Sequence, residues 1–314
     1  SDDDTLDILL GYGDGSFANP WKYSAGSRPK SLAIGDLNND THMDIVVANF
    51  DSNKINILFG FGNGSFGNHK TYHSGNSPYF VAVTDLNNDT QLDIVVTNFH
   101  GYSITVFFGN GIGSFHDKII YQTGSNPSHV AFGDLNADNL PDIVVANGGD
   151  NNIGIFLHLN SGALVQKFTF APTDGSRLYG VAVSNFNNDD YLDLAIVNYG
   201  TNSVGVLFGY GNGTFTRQSL LPTGPNSHPY SIAIGDFNTE EIEEKIKTHF
   251  SAISPPDSPR PRLEAKIPDN SETLVTIATD KEATTTIVNL YIKNDAQPES
   301  SLKDYYEALL HTFY

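Results

Sequence analysis

A repeat of about fifty residues limits what this chain can fold into more than any other feature. The stretch Gly35-Asp36-Leu37-Asn38-Asn39-Asp40-Thr41-His42-Met43-Asp44-Ile45-Val46-Val47 returns from Thr84-Asp85 to Val96 and from Gly133-Asp134 to Val145. It returns more loosely from Ser184-Asn185 to Ile196 and begins again at Gly235-Asp236-Phe237-Asn238. The leading Asp, or its replacement, falls at 36, 85, 134, 185 and 236, in steps of 49, 49, 51 and 51. A second marker, Gly13-Asp14-Gly15-Ser16-Phe17, keeps the period at Gly62–Phe66, Gly111–Phe115 and Gly211–Phe215, with a degenerate copy near Asn160-Ser161-Gly162. Two independent markers in one register argue for stacked supersecondary units rather than a sandwich with accidental similarity.

Each unit reads as four short strands. In the second unit they are predicted near Phe80–Thr84, Asp93–Asn98, Ile104–Phe108 and Lys118–Tyr121, rich in β-branched and aromatic residues and bounded by Gly, Asn and Pro. Gly-Asn-Gly-Ser-Phe joins the third strand to the fourth, where Asn-Gly suits a tight hairpin because both residues accept positive φ. Four antiparallel strands at this period make a β-propeller blade. The fold class expected is mainly β: a partial or five-bladed propeller of four-stranded blades, followed by a small α+β fragment. Residues 5–25 supply only the third and fourth strands of a blade (Leu6–Leu10 and Trp21–Ser24), and 231–235 supply one first strand. Either the two ends meet as a fifth blade lacking its second strand, or the chain is an open slice with two raw edges, which invite association.

The loop between first and second strands carries the chemistry. Asp36, Asn38, Asp40 and Asp44 stand at positions 1, 3, 5 and 9 of a nine-residue loop. Hard, partly anionic oxygens at this spacing suit Ca²⁺ rather than Zn²⁺. Position 7, His42, is expected to contribute its backbone carbonyl, since Gln91, Leu140 and Tyr191 replace it in the other copies and a side-chain ligand would not tolerate Leu. The second site is Asp85, Asn87, Asp89 and Asp93, and the third Asp134, Asn136, Asp138 and Asp142. The fourth has Asn185 in place of the leading Asp, with Asn187, Asp189 and Asp193, and is expected to bind most weakly. Position 6 is Thr41, Thr90, Asn139 or Asp190 rather than Gly, a source of strain if the turn needs positive φ. The competing reading is that Asp and Asn serve here only as turn formers.

Composition removes other classes. The chain has no Cys, which excludes disulfides, thiolate zinc sites and a thiol nucleophile, and its net charge of −19 argues against nucleic acid or anionic membrane as the main partner. No apolar run approaches the roughly 18 residues of a membrane span. The chain opens with Ser1-Asp2-Asp3-Asp4, without initiator Met or signal peptide, and reads as a fragment or processed chain. The Gly-x-Gly elements lie in hairpins rather than before helices, so they do not read as phosphate loops.

The Asp-x-Asn-x-Asp-x-x-x-Asp loops together with Phe59-Gly60-Phe61-Gly62-Asn63-Gly64-Ser65-Phe66 resemble the FG-GAP (VCBS-like) repeats of integrin-type propellers over about 1–237. The resemblance implies an extracellular or cell-surface setting, calcium on the propeller rim, and adhesion or recognition of a protein or glycan ligand on a propeller face. A non-catalytic chain with structural calcium is expected. At ~1 mM Ca²⁺ and a Kd of ~0.1 mM each site would add roughly 1.4 kcal/mol. Asn39, Asn63, Asn88 and Asn212 match the N-glycosylation pattern, and glycans at Asn39 or Asn88 would compete with metal geometry.

A sharp break separates the domains 1–237 and 238–314. The first contains no Glu and the second nine, while all 29 Gly lie at or before Gly235. After it, a capping box at Asn238-Thr239-Glu240-Glu241 opens a helix with Ile242, Ile246 and Phe250 on one face, and a Pro-rich linker runs over 254–262. Strands are predicted at Thr273–Thr279 and Thr284–Lys293, and a last helix from Ser301. Gly235-Asp236-Phe237 through His249-Phe250, then Pro259-Arg260-Pro261-Arg262, Thr279–Thr284 and Asp304-Tyr305-Tyr306, resemble an insulinase/pitrilysin-family zinc peptidase over about 232–314, in the stretch after its catalytic subdomain. That family works through HxxEH, which none of the ten His forms, so the alternatives are a peptidase-derived chain without its catalytic part, or a chimeric fragment without function.

Overall fold

A computed structural model describes residues 4–67, 69–158, 164–170, 175–235, 274–278 and 287–291. A two-stranded hairpin, β1 (Thr5–Ile8) and β2 (Trp21–Ser24), comes first. Four four-stranded antiparallel sheets follow, each ordered as its strands occur in sequence. The first holds β3 (Pro29–Gly35), β4 (Asp44–Asn49), β5 (Lys54–Leu58) and β6 (Lys70–His73). The second holds β7 (Pro78–Thr84), β8 (Asp93–Asn98), β9 (Ser103–Gly109) and β10 (Phe115–Gln122). The third holds β11 (Pro127–Gly133), β12 (Asp142–Asn147), β13 (Asn152–His158) and β14 (Leu164–Phe170), and the fourth β15 (Leu178–Ser184), β16 (Asp193–Asn198), β17 (Ser203–Leu207) and β18 (Ser219–Pro222). These are the blades read from the repeat. No helix occurs among the described residues.

The first strands β3, β7, β11 and β15 lie side by side, followed by β19 (Ser231–Ile234), so the innermost strand of each blade faces the next one around an axis. The second strands β4, β8, β12 and β16 are buried along their whole length. Their alternating side chains feed two interblade cores rather than one central core. Val46, Ala48, Ile55 and Ile57 of the first blade meet Val81, Ile94, Val96 and Phe107 of the second. Val95, Ile104 and Val106 then face Val130, Ile143, Val145 and Phe156 of the third, and Val144, Ile153 and Ile155 face Val181, Leu194 and Ile196 of the fourth. Full burial of each such side chain stabilises by about 1.5–3 kcal/mol. The seams between blades therefore hold the fold.

The chain ends differ from a completed blade. The pair β1–β2 packs Leu6, Ile8 and Tyr23 onto Ile45, Val47 and Leu58. At the other end β19 pairs in parallel with β21 (Ile287–Tyr291), from Ser231↔Ile287 to Ile234↔Leu290, and β21 pairs antiparallel with β20 (Leu274–Ala278). Among the described residues no sheet joins β2 to β19. The predicted helices from Asn238 and Ser301 and the Pro-rich linker lie outside the described residues.

The third-to-fourth strand turn departs from the expected Asn-Gly hairpin. Positive φ falls on the flanking glycines, 72° at Gly62 and 85° at Gly64, and not on Asn63. The turn closes through Phe61 N–H to Ser65 O at 3.0 Å, while Asn63 Oδ1 accepts from the Ser65 amide at 2.9 Å. Asn63 is therefore a side-chain cap rather than a left-handed corner.

Candidate functional site

The nine-residue loops fold the same way in the first three blades. Asp36 accepts from the amides of Asp40 (3.2 Å) and Thr41 (2.8 Å), Asn38 Oδ1 accepts from Asp40 N–H (3.1 Å), and Asp40 Oδ1 accepts from His42 N–H (2.8 Å). Asp85, Asn87 and Asp89 repeat this toward Asp89, Thr90 and Gln91, and Asp134, Asn136 and Asp138 toward Asp138, Asn139 and Leu140. Position 6 has φ of 69° at Thr41, 69° at Thr90 and 65° at Asn139, a conformation costly for a β-branched residue and held here by the leading carboxylate. In the fourth loop Asn185 has no second acceptor oxygen. Its amide turns to Asp189 O and its Oδ1 is buried without a partner, although Asn187, Asp189 and Tyr191 keep their pattern.

The position-9 aspartate does something the spacing did not reveal. Asp44 is fully buried and clamps two segments: Oδ2 accepts from Leu37 N–H at 3.0 Å and Oδ1 from Gly60 N–H at 2.9 Å. Asp93 grips Leu86 and Gly109, Asp142 grips Leu135 and His158, and Asp193 grips Phe186 and Gly209. One carboxylate thus ties the loop to the end of the third strand, which is why the two sequence markers keep one register. Burial pushes Asp93 and Asp142 up to about 6, helped by the neighbouring carboxylates at positions 1 and 5 and opposed by the amides they accept from. Asp44 and Asp193 shift upward for the same leading reason.

These donors fit a hard divalent cation by their chemistry. Each of the first three loops offers three carboxylates and an amide oxygen, and among the described residues the one ion pair, Arg28–Asp51 at 3.4 Å, lies elsewhere. Among the described residues no three His, Asp or Glu side chains converge as a cage, since the acids are turned onto loop amides and Asn38 Nδ2 donates to Asp40 Oδ2 at 2.9 Å. The position-7 side chains do not face the donors. His42, Gln91 and Tyr191 lie over Gly62, Gly111 and Gly211 of their own blade's turn.

The loops also join blades. Asn39 Nδ2 reaches Gln91 Oε1 at 2.5 Å, Asn88 Nδ2 reaches Asn139 O at 3.0 Å, and Gly113 and Gly213 donate to Leu37 O and Leu135 O of the preceding blade. Two of the four glycosylation matches, Asn39 and Asn88, thus have their amide nitrogens engaged between blades. Asn63 and Asn212 sit at exposed turns with only their carbonyl oxygens used.

A second cluster lies at the other end of the blades, and sequence reading missed it. Each first strand carries a bulge just after its start, which skips Lys30, Tyr79, Ser128 and Tyr179 in the ladder and re-aims their side chains. Tyr230 stands at the equivalent place before β19. The phenol oxygens of Tyr79 and Tyr230 touch across the axis, 151 residues apart in sequence. Tyr179 packs on Tyr230 at 4.5 Å and on Tyr199 at 5.0 Å, while Tyr79 packs on Phe99 at 5.1 Å and Phe50 at 6.3 Å. Burial and the contact with Tyr230 push the Tyr79 phenol above its ordinary range. The residue two places before each bulged position and before Tyr230 (Arg28, Ser77, Asn126, Arg177 and His228) is non-glycine with φ between 44° and 59°, a backbone feature that no shared residue type marks in the sequence.

Comparison with known proteins follows the fold. A protein from Lactobacillus plantarum superposes with a TM-score of 0.50 at 14% identity over 70% of this chain and 68% of its own. Streptogramin B lyase superposes with a TM-score of 0.50 at 19% identity over 73% of this chain and 65% of its own, so the chain spans just under two thirds of the lyase. The expectation of a non-catalytic chain is corrected by this finding: a lyase is built on the same fold, so a sequence without a familiar nucleophile does not set the fold apart from enzymes. No curated protein matches the chain. The family match ends at residue 241 and gives the insulinase-type resemblance no support, and most of that proposed stretch lies outside the described residues. Residues 1–47, 36–96, 85–145, 134–196 and 185–241 each match the FG-GAP-like repeat family, five overlapping copies that span the propeller, and the chain belongs to that family.

Proposed function

We propose that this FG-GAP-like propeller is an extracellular recognition module whose blades are stiffened by calcium at Asp36/Asn38/Asp40/Asp44, Asp85/Asn87/Asp89/Asp93 and Asp134/Asn136/Asp138/Asp142, with a weaker site at Asn187/Asp189/Asp193. The observation that carries this reading is the threefold recurrence of three carboxylates and an amide oxygen in one loop, at a blade seam, with no cationic side chain paired to them among the described residues. Bound Ca²⁺ would supply the missing positive charge. The residues themselves fix the loop to the strand ends and to the next blade, so cation binding and seam stability are linked. A protein or glycan ligand would then be met by a rigid propeller face.

The test is thermal unfolding of the full chain in EDTA and across a Ca²⁺ titration, with Mg²⁺ as control. Three sites at roughly 1.4 kcal/mol each would raise Tm by about 10 °C, with saturation. A Tm indifferent to Ca²⁺, or raised equally by Mg²⁺ at the same concentration, would overturn the calcium assignment.

A further inference from the structure

The two ends of the blades differ in chemistry. One carries the carboxylate loops. The other carries the bulged tyrosines, and beside them Arg28, Lys30 and Arg177 of a chain whose net charge is −19. The Arg28 guanidinium lies 5.0 Å from the centre of the Phe50 ring, and Lys30 Nζ lies 5.9 Å from Phe50 and 6.0 Å from Tyr79. Arg177 adjoins Tyr179, His100 packs against Phe50 and Phe99, and His228 stacks on Tyr199 at 4.8 Å. The Tyr79–Tyr230 contact ties the second blade to the segment before β19, so these groups share one end of the blades as a cluster.

Its composition selects a ligand class. Half-buried rings offer flat apolar faces beside phenol and imidazole hydrogen-bonding groups, which suits the alternating C–H and hydroxyl surface of a sugar. Arg28 and Lys30 already lie over the Phe50 and Tyr79 faces, so an incoming cation would meet like charge. Arg28 is shared with Asp51, Asp4 accepts from the Arg28 amide, and Asp150 accepts from the Ser125 amide, whereas Lys30 and Arg177 form no ion pair among the described residues. From this juxtaposition we infer that the cluster formed by Tyr79, Tyr179, Tyr199, Tyr230, Lys30 and Arg177 binds an acidic oligosaccharide, its sugar rings against the aromatic groups, one carboxylate toward Lys30 and another toward Arg177. The inference rests on the recognition reading above and is independent of the calcium sites.

The experiment is calorimetric titration of the full chain with a galacturonic-acid trisaccharide, the neutral galactose trisaccharide, and an oligo-aspartate peptide of equal charge. The variants are Lys30→Gln and Arg177→Asn together. Asn126 already occupies the position equivalent to Arg177 at φ 53°, so that exchange keeps the backbone. The expected result is that the acidic sugar binds at least tenfold more tightly than either control and that the double variant loses at least tenfold. No binding, equal binding of the neutral sugar, equal binding of the peptide, or an unchanged double variant would each overturn the proposal. The Ca²⁺ response of Tm, measured on the same sample, separates the outcomes. A calcium-responsive protein that ignores the sugar refutes the ligand alone, and a calcium-indifferent protein that binds it refutes only the metal assignment.

Discussion

Replacing Asp93 by Ala tests whether the position-9 carboxylate is a structural clamp in its own right, apart from any cation. Its two oxygens accept from Leu86 N–H at 3.0 Å and Gly109 N–H at 2.8 Å, and the side chain is fully buried. Alanine would leave the buried Leu86 amide and the half-buried Gly109 amide without their acceptors, and a buried unsatisfied group costs about 1–3 kcal/mol. The expected loss is therefore about 4 kcal/mol, a large share of a typical total of about 5–15 kcal/mol. Asp93→Asn keeps one acceptor and sets its NH₂ against the other amide, so it should lose about 2 kcal/mol. Urea unfolding of the full chain in EDTA, followed by circular dichroism, removes any calcium contribution from the comparison. A loss below about 1 kcal/mol for Asp93→Ala would refute the clamp, because the two amides would then have found other partners.

Three further outcomes follow from the same geometry. His129 is half-buried against the Phe80 ring, centroids 3.9 Å apart, with its Nδ1 shielded and unpartnered, and desolvation lowers its pKa to about 4. Its folded-state pKa lies below the unfolded value, so its neutral form is required and stability falls as pH drops from about 6.5 through 4. Relative to His129→Phe, the native chain should lose about 3 kcal/mol over that window, read from paired urea curves. Gly109→Ala would place a Cβ 2.2 Å from Leu92 O, a backbone atom that cannot step aside, and should cost at least about 2 kcal/mol in the same assay. Asn185→Asp restores the leading carboxylate of the fourth loop, and should add about 3–5 °C to the Tm rise at saturating Ca²⁺ while leaving Tm in EDTA nearly unchanged.

What the sequence made legible was whatever the repeat writes in side-chain type and spacing. The blades were readable because β-branched runs such as Asp93–Asn98 recur at a fixed distance from the Gly-rich turns, and β8 has those bounds. The loops were readable as oxygen-rich because Asp and Asn alternate in them. The partition of roles within a loop was not. Asp44 and Asp36 look alike in a one-dimensional motif, and only the fold shows that Asp44 faces the interior and holds Gly60, sixteen residues away. The tyrosine cluster was hidden for a different reason. Its members stand one per blade at a bulge, a feature set by strand pairing rather than by residue type, and Lys30, Tyr79, Ser128 and Tyr179 share no chemistry that would mark them as equivalent. That difference has a physical consequence for how such a propeller can vary. The carboxylates at positions 1 and 9 of the first three loops each hold two backbone amides and those at position 5 hold one, so change there is costly. Among the bulged side chains Lys30 is exposed and Tyr79 and Tyr179 are half-buried, so their identity can change with less effect on the blades than a loop carboxylate, whereas Ser128 is buried with its hydroxyl on Ala146 O and Leu178 O. A propeller of this kind should keep its loops and diversify its tyrosine cluster, and exchanging Tyr179 for Ser, as Ser128 already stands in the third blade, should lower the unfolding free energy from urea curves by only about 1–2 kcal/mol, the worth of its two ring contacts, while abolishing saccharide binding.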